Sequence, residues 1–334
     1  MLSPYAARIT GWGSAFPKKA LTNDEISQRV ETSDEWIRER TGIRERRISD
    51  PLDSSEFNSS LGLAAARRAL EMSHKAPEDI DLLIYATSSP DQPLPATACF
   101  LQAKLGATKA WALDISAACS GFVYGTSMAD QFIRSGHSKT VLVVGAEVLS
   151  RLVNWEDRVS CVLFGDGAGA AIIERTQNDN PNRILSTHLG SDGSLAHLIQ
   201  IPCGGTNTPV DGKVLVEKTN KIHVQGREVF KEAVRTLAEY ATMALEANGL
   251  TVADLDWFAP HQANLRIMDA VADRLGIPKN KVLCNIERYG NTSAASIPAV
   301  INEAVRDGRI KPGQLVLMDS FGGGLTYGSA LFRF

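Results

Sequence analysis

What this sequence lacks narrows what the chain does. There is no C-x-x-C pair, and the five cysteines, Cys99, Cys119, Cys161, Cys203 and Cys284, are odd in number and scattered. That pattern argues against a disulfide framework and a thiolate metal site, and it fits a reducing cytoplasm. No apolar run reaches membrane-spanning length, either in the opening segment Met1-Leu-Ser-Pro-Tyr-Ala-Ala-Arg8 or later, so neither a leader peptide nor a transmembrane helix is expected. Surplus charge is small, and a net value of -3 is not that of a general nucleic-acid or membrane-surface binder. The dinucleotide fingerprint G-x-G-x-x-G is also missing. Phe164 and Phe321 each open a Phe-Gly-x-Gly turn, but both turns run into apolar strands rather than helices.

What is present is a soluble globular composition, 44% hydrophobic and 22% charged, in 334 residues. This is enough chain for two units of ordinary size, or for one large fold made of two halves. Unbroken apolar strands such as Thr140 to Ala146 alternate with helical patterns at Leu61 to Met72, Ala96 to Leu105 and Gln225 to Ala247. Alternation of this kind predicts an α/β fold with a mostly parallel sheet covered on both faces. Ser160 to Ile173 and Val316 to Phe332 both read as strand, glycine turn, strand, and the polar stretch Gln177 to Asn182 separates them. The expectation is two related halves, 1–176 and 177–334.

Asp114 to Gly125, D-I-S-A-A-C-S-G-F-V-Y-G, is the stretch around which the rest is organised. A short buried strand ends there and a continuously apolar, proline-free helix begins, with Cys119 in its first turn. The free N-H groups and dipole of a helix start favour an anion, which predicts a thiol shifted towards thiolate. Free cysteine is also a common space-filler in cores. The small neighbours Ala117, Ala118, Ser120 and Gly121 leave room for a bound group. His261, in Pro260-His-Gln-Ala-Asn-Leu-Arg266, and Asn291, in Tyr289-Gly-Asn-Thr-Ser-Ala-Ala-Ser-Ile-Pro298, lie at similar strand-to-loop or loop-to-helix junctions. Such loops collect at the carboxyl ends of parallel strands, where ligands bind. Arg38, Arg40, Arg44, Arg46 and Arg47 crowd beside Trp36. They make either a nucleotide site, guanidinium for phosphate and indole for a base, or a solvated salt-bridged surface.

With these residues in order, the chain resembles the β-ketoacyl-[acyl-carrier-protein] synthase III family of the thiolase superfamily from about Ile9 to Phe334. The carriers are D-I-S-A-A-C-S-G-F, P-H-Q-A-N-L-R, R-Y-G-N-T-S-A-A-S-I-P and S-F-G-G-G-L-T-Y-G-S-A-L, supported by the Thr32 to Arg46 segment and F-G-D-G-A-G-A at Phe164. The resemblance implies a five-layered αβαβα thiolase-like fold and a homodimer. It also implies a ping-pong reaction: a short acyl group, commonly acetyl, passes from coenzyme A to Cys119, and malonyl-acyl-carrier protein then loses CO₂ and attacks it. Cys119 is the implied nucleophile, and His261 and Asn291 are implied neutral donors to the enolate oxygen. The backbone N-H groups of Cys119 and Gly323 form the implied oxyanion hole. Trp36, Arg40, Arg158, Gly226, Asn264 and Phe321 are implied contacts of the CoA thioester. Leu94 stands on a loop that reaches the partner's acyl pocket, where acetyl-selective members carry an aromatic residue. Arg266, Lys231 and Arg227, with Lys218 and Lys221 nearby, would offer an acidic carrier protein a basic surface. Neither metal nor cofactor is implied, because loss of CO₂ generates the carbanion. Competing readings are a paralogous condensing enzyme with longer or branched acyl-CoA, a Cys-His-Asn hydrolase, whose C-G-S-C-W signature is absent, and a non-catalytic scaffold.

Overall fold

The longer apolar strands gather in two large sheets, beside which stand two small two-stranded ribbons. A computed structural model describes residues 3–334; Met1 and Leu2, which begin the segment read for a leader, lie outside the described residues. In the first sheet the spatial order is Tyr5–Ala15, Gly167–Gln177, Thr140–Glu147, Leu82–Ala86, Trp111–Ile115. The first two pairings are antiparallel and the last two parallel. The second sheet runs Ile184–Ser191, Thr326–Arg333, Leu315–Gly322, Trp257–Pro260, paired antiparallel, antiparallel and parallel. Beyond Trp257–Pro260, where the first sheet has its fifth strand, the second keeps one parallel bridge between Phe258 and Val282. The order and direction of pairing are thus repeated. Strands of the first sheet end at Gln177, and those of the second begin at Ile184.

Burial explains the layering. Every residue of Thr140–Glu147 is buried, so that strand has protein on both faces. Asn58–Ser73 and Thr97–Leu105 pack on the outer face of the first sheet through Leu61, Ala65, Ala69 and Leu101. Gly226–Glu246 and Leu265–Leu275 cover the outer face of the second through Val229, Ala233, Leu237, Ile267 and Val271. Gly121–Arg134 and Ser296–Arg306 lie between the sheets in a single core drawn from both halves. There Trp12 sits 6.1 Å from Phe122 and 6.0 Å from Phe332, ring centre to ring centre. The result is the αβαβα arrangement of a thiolase-like fold.

Local chemistry sets the element ends. Thr22 and Glu25 form a reciprocal capping box, and Ser33 accepts from Trp36 N although no Glu or Gln stands at the third position. The expected strand before the Phe164 turn is not formed. Asp157 accepts from Val159 N and Ser160 N, which starts a short helix at Arg158–Cys161, and only Phe164 then bridges, to Asn291. The true counterpart of the C-terminal hairpin is therefore Thr140–Glu147 paired with Gly167–Gln177. The arginine cluster also divides. Arg46 is fully buried and donates to Leu21 O, Asn23 Oδ1 and Val162 O, a structural role, whereas Arg40 is exposed.

Gly145 marks the tightest contact between the first sheet and the middle layer, since a Cβ there would meet Ala294 O at 2.3 Å. Gly145→Ala is expected to lower the free energy of unfolding by about 1–3 kcal/mol, the usual cost of overpacking. A urea melt with an unchanged midpoint would contradict this.

Candidate active site

The nucleophile candidate stands on a tight turn rather than in the helix itself. Ala118–Ser120 forms a single 3-10 turn ahead of Gly121–Arg134, and it is entered through Ala118 at φ 46°. Ser120 Oγ donates to Thr326 O at 2.9 Å, and Thr326 Oγ1 donates to Ala117 O at 2.8 Å, which ties the turn to the C-terminal hairpin. Gly322 makes this approach possible, because a Cβ on it would lie 2.7 Å from Cys119 N. Gly323, the expected oxyanion-hole member, follows it and faces Ile199 O.

The other two residues come from the second half. His261 follows Trp257–Pro260, and its N-H donates to Asp319 O at 2.8 Å. Gln262, fully buried, donates to Pro260 O and Leu283 O and accepts from Asn285 N, so the loop is stapled from inside. Ser296 Oγ lies 2.7 Å from His261 Nδ1 and accepts from Gln262 N at 3.3 Å. Where the hydroxyl donates to Nδ1, the ring proton of a neutral imidazole sits on Nε2, facing the cavity. Burial drives the His261 pKa down to about 3, so the imidazole is neutral. Asn291 is fixed through its backbone to Leu163 O and Gly165 N, and its Oδ1 accepts from Ser293 N at 2.8 Å, which leaves the amide N-H₂ for a ligand.

Cys119, His261 and Asn291 line one cavity of about 130 Å³, together with Gly226, Asn264 and Phe321. Its other walls are apolar: Val229, Ala233 and Leu237 from Gly226–Glu246 at helical spacing, with Ile267, Leu163, Phe164 and Ile199. The cavity is small and largely apolar, with the three polar groups at one place on its wall. Trp36 lies outside it, flanked by Arg158 at 4.9 Å and Arg40 at 5.6 Å from the ring centre. Arg158 now rests on the indole face, so a purine would have to part them. Asn264 Nδ2 donates to Arg40 O, linking that rim to the cavity wall. Arg227, Lys231 and Arg266 are all exposed near the same opening, Arg266 over Phe230. Lys218 is engaged by Glu156, and Lys221 by Arg151 O. Leu94 is 82% exposed and does not line the cavity of its own chain.

One expectation is reversed. Enclosure pushes the Cys119 thiol up to about 12, with the charge of Glu147 adding to the rise and Ser293 opposing it. A helix start contributes only about 0.3–1 kcal/mol, which is less than a tenfold change in ionisation. The resting sulfur is therefore a thiol. Sequence reasoning also missed Ser293, Ser296, Gln262, Gly322 and Glu147, which touch the three candidates or their supports. The serines and glycine lie inside the quoted motifs, so their signal was present but unread.

Comparison with known proteins accords with this geometry. The family model described as 3-oxoacyl-[acyl-carrier-protein (ACP)] synthase III matches residues 113–193, and the model for its C-terminal part matches 245–334. A β-ketoacyl-[acyl-carrier-protein] synthase III of Xanthomonas campestris pv. campestris is 50% identical over 328 residues, 98% of each chain. The crystal structure of 3-oxoacyl-[acyl-carrier-protein] synthase III from Aquifex aeolicus superposes with TM-score 0.89 at 45% identity, covering 98% of this chain and 100% of that one. The priming β-ketosynthase of the R1128 polyketide pathway gives 0.90 at 36% identity, over 100% and 98%. Fold and site define a condensing enzyme of the thiolase type. The chain belongs to the β-ketoacyl-[acyl-carrier-protein] synthase III family, and it is an acyltransferase that initiates fatty-acid synthesis by condensation.

A histidine buried neutral makes a direct prediction. The unfolded chain gains a proton at this side chain below about pH 6.5, whereas the folded form does not until about pH 3. His261 therefore costs stability as pH falls through that window. In ¹⁵N-histidine NMR its ring should show a single Nε2-H tautomer with no titration between pH 5 and 8; a midpoint near 6.5 would refute the assignment.

Proposed function

We propose that Cys119 takes a short acyl group, acetyl first among candidates, from coenzyme A, and that malonyl-acyl-carrier protein then decarboxylates at His261 and Asn291 and attacks the acyl-enzyme. The products are 3-ketoacyl-carrier protein, CO₂ and free CoA. The observation that carries this reading is the convergence of one sulfur and two uncharged donors in a single narrow, apolar cavity. Loss of CO₂ leaves negative charge on the thioester oxygen, and preorganised neutral donors stabilise it there without a compensating counter-ion to desolvate. The amides of Cys119 and Gly323 serve as oxyanion hole in the acyl-transfer step. No cofactor is required, because decarboxylation itself supplies the carbanion.

Trp36, Arg158 and Arg40 hold the nucleotide end of CoA, with Gly226, Asn264 and Phe321 along the arm. Arg266, Lys231 and Arg227 meet the carrier protein. The enzyme acts in the cytoplasm as a homodimer. Trp111–Ile115 is a sheet edge, and the side chain of Leu94 stands exposed on its loop. Leucine at that position leaves more freedom in the pocket wall than an aromatic ring, which favours testing longer and branched primers beside acetyl.

Intact-protein mass spectrometry after incubation with a panel of acyl-CoAs tests the reading. A single adduct of acyl mass is expected, absent in Cys119→Ser. His261→Ala and Asn291→Ala should retain loading while malonyl decarboxylation falls about 10²-fold or more, as for loss of an oxyanion donor. An unlabelled wild-type enzyme, or near-normal decarboxylation by either alanine variant, would overturn it.

A further inference from the structure

The mechanism above leaves several buried acids unused, among them Asp166, Asp319 and Glu147, and of these Glu147 reaches the turn beside the nucleophile through a hydrogen bond. Glu147, at the end of Thr140–Glu147, is fully buried and accepts from Ser88 N, Thr87 Oγ1 and Ser89 Oγ at 3.1, 3.3 and 2.5 Å. Its remaining partner is Ser293 Oγ, which donates to Oε1 at 3.1 Å. Among the described residues none of its hydrogen-bond partners is a cation. The titratable groups that feel its charge are Cys119 and the buried phenol of Tyr85, both neutral in the resting protein. Purely structural carboxylates elsewhere in the fold are spent on several main-chain donors, as Asp114 is on Thr97 N and Ala98 N. Glu147 takes one main-chain donor, Ser88 N, and three hydroxyls, and one of these, Ser293, belongs to the turn beside the nucleophile.

The protonated thiol must lose its proton to attack, and His261 cannot take it. Buried, with its pKa driven down to about 3, its imidazole is too weak a base to hold that proton at neutral pH. Ser293, in contrast, belongs to a turn packed against the turn of Cys119 and donates to Glu147 on its other side, its backbone held at φ 50°. A hydroxyl that gives its only proton to Glu147 has a lone pair free for S-H. We propose that Glu147 is a positioning residue for the loading step and the terminus of a proton path from Cys119 through Ser293. As sulfur bonds to the thioester carbon, its proton passes to Ser293 Oγ and the serine's own proton to Glu147 Oε1. The bond from that carbon to the CoA sulfur breaks, and the CoA thiolate leaves with the proton returned by the same route. The inference rests on Cys119 being the acyl acceptor.

Burial raises the Glu147 pKa to about 7, so the ionised, proton-accepting form grows as pH rises through neutrality. Wild-type acyl loading should climb through about pH 7 and then level. Glu147→Gln keeps the shape and an acceptor but cannot take a proton. It should load at least about 10²-fold more slowly at pH 7.5, with a rate that keeps rising to pH 10 as the thiol itself ionises. Ser293→Ala should behave alike, and because it keeps the backbone N-H that orients Asn291, decarboxylation of malonyl thioester should stay near wild type in both. Wild-type loading by Glu147→Gln, or parallel loss of loading and decarboxylation, would overturn the proposal, the latter by showing mere structural support. Iodoacetamide alkylation of Cys119, followed peptide by peptide across the same pH range, separates the two readings. A Glu147-dependent profile there sustains the proton path even where no acyl-CoA loads, and an unchanged profile in Glu147→Gln refutes it even where loading occurs.

Discussion

Ala294 is lodged between two glycines, and the site exists because of it. A Cβ on Gly145 would strike its carbonyl oxygen at 2.3 Å, and one on Gly121 would touch its methyl at 3.5 Å and Ala86 Cβ at 2.8 Å. Gly121 opens the helix that follows Cys119, Gly145 lies in the strand that ends at Glu147, and Ala294 follows directly on the turn that carries Asn291 and Ser293. The close approach of Gly145 to Ala294 thus presses the strand that ends at the buried acid against the turn that carries Ser293. Pro298 repeats the device a turn further along, against Gly169. Close-packed interiors transmit such constraints because they have no slack to absorb them.

Enclosure then decides the charge states. The same low-polarity surroundings push Cys119 up, His261 down and Glu147 up, each towards its neutral form. A cationic histidine would bind a carboxylate well, but it would favour the malonyl ground state as much as the enolate. Neutral donors discriminate between them, since their hydrogen bonds strengthen as charge moves onto the thioester oxygen. The cost falls on the nucleophile, whose proton must be removed within the protein. A site tuned for the second half-reaction therefore needs separate provision for the first, and Ser293 and Glu147 lie where that provision is required.

How much of this was legible follows from the range of the interactions. Period and turn chemistry marked elements correctly where they depend on neighbours in sequence, as in the helices Asn58–Ser73, Thr97–Leu105 and Gly226–Glu246. The Ser160 segment failed for the same reason: Asp157, just upstream, caps a helix that apolar character alone could not reveal. Cys119, His261 and Asn291 stood out because glycine, proline and small residues surround them at junctions. Their shared cavity did not, since it depends on pairings between residues more than 100 positions apart. Glu147 was invisible. In the sequence it is one acidic residue at the end of an apolar strand, and only the fold brings Ser293 to it.

The repeated topology explains why nucleophile and donor meet without a long loop to carry either. Gly121–Arg134 and Ser296–Arg306 occupy the same layer, and each is preceded by a one-turn 3-10 segment bent through a left-handed residue, Ala118 in one and Ser293 in the other. By this alignment Ala294 is the counterpart of Cys119, and Asn291 stands three residues ahead of it on the segment that enters the second turn. The separation of Cys119 and Asn291 is fixed by helix and sheet packing, the least deformable part of the molecule, while the cavity walls come from Gly226–Glu246 in the outermost layer. Reaction geometry and substrate fit are for this reason held by different layers. Side chains at Val229, Ala233 and Leu237 can change the cavity's width without moving the sulfur relative to the amide that faces it.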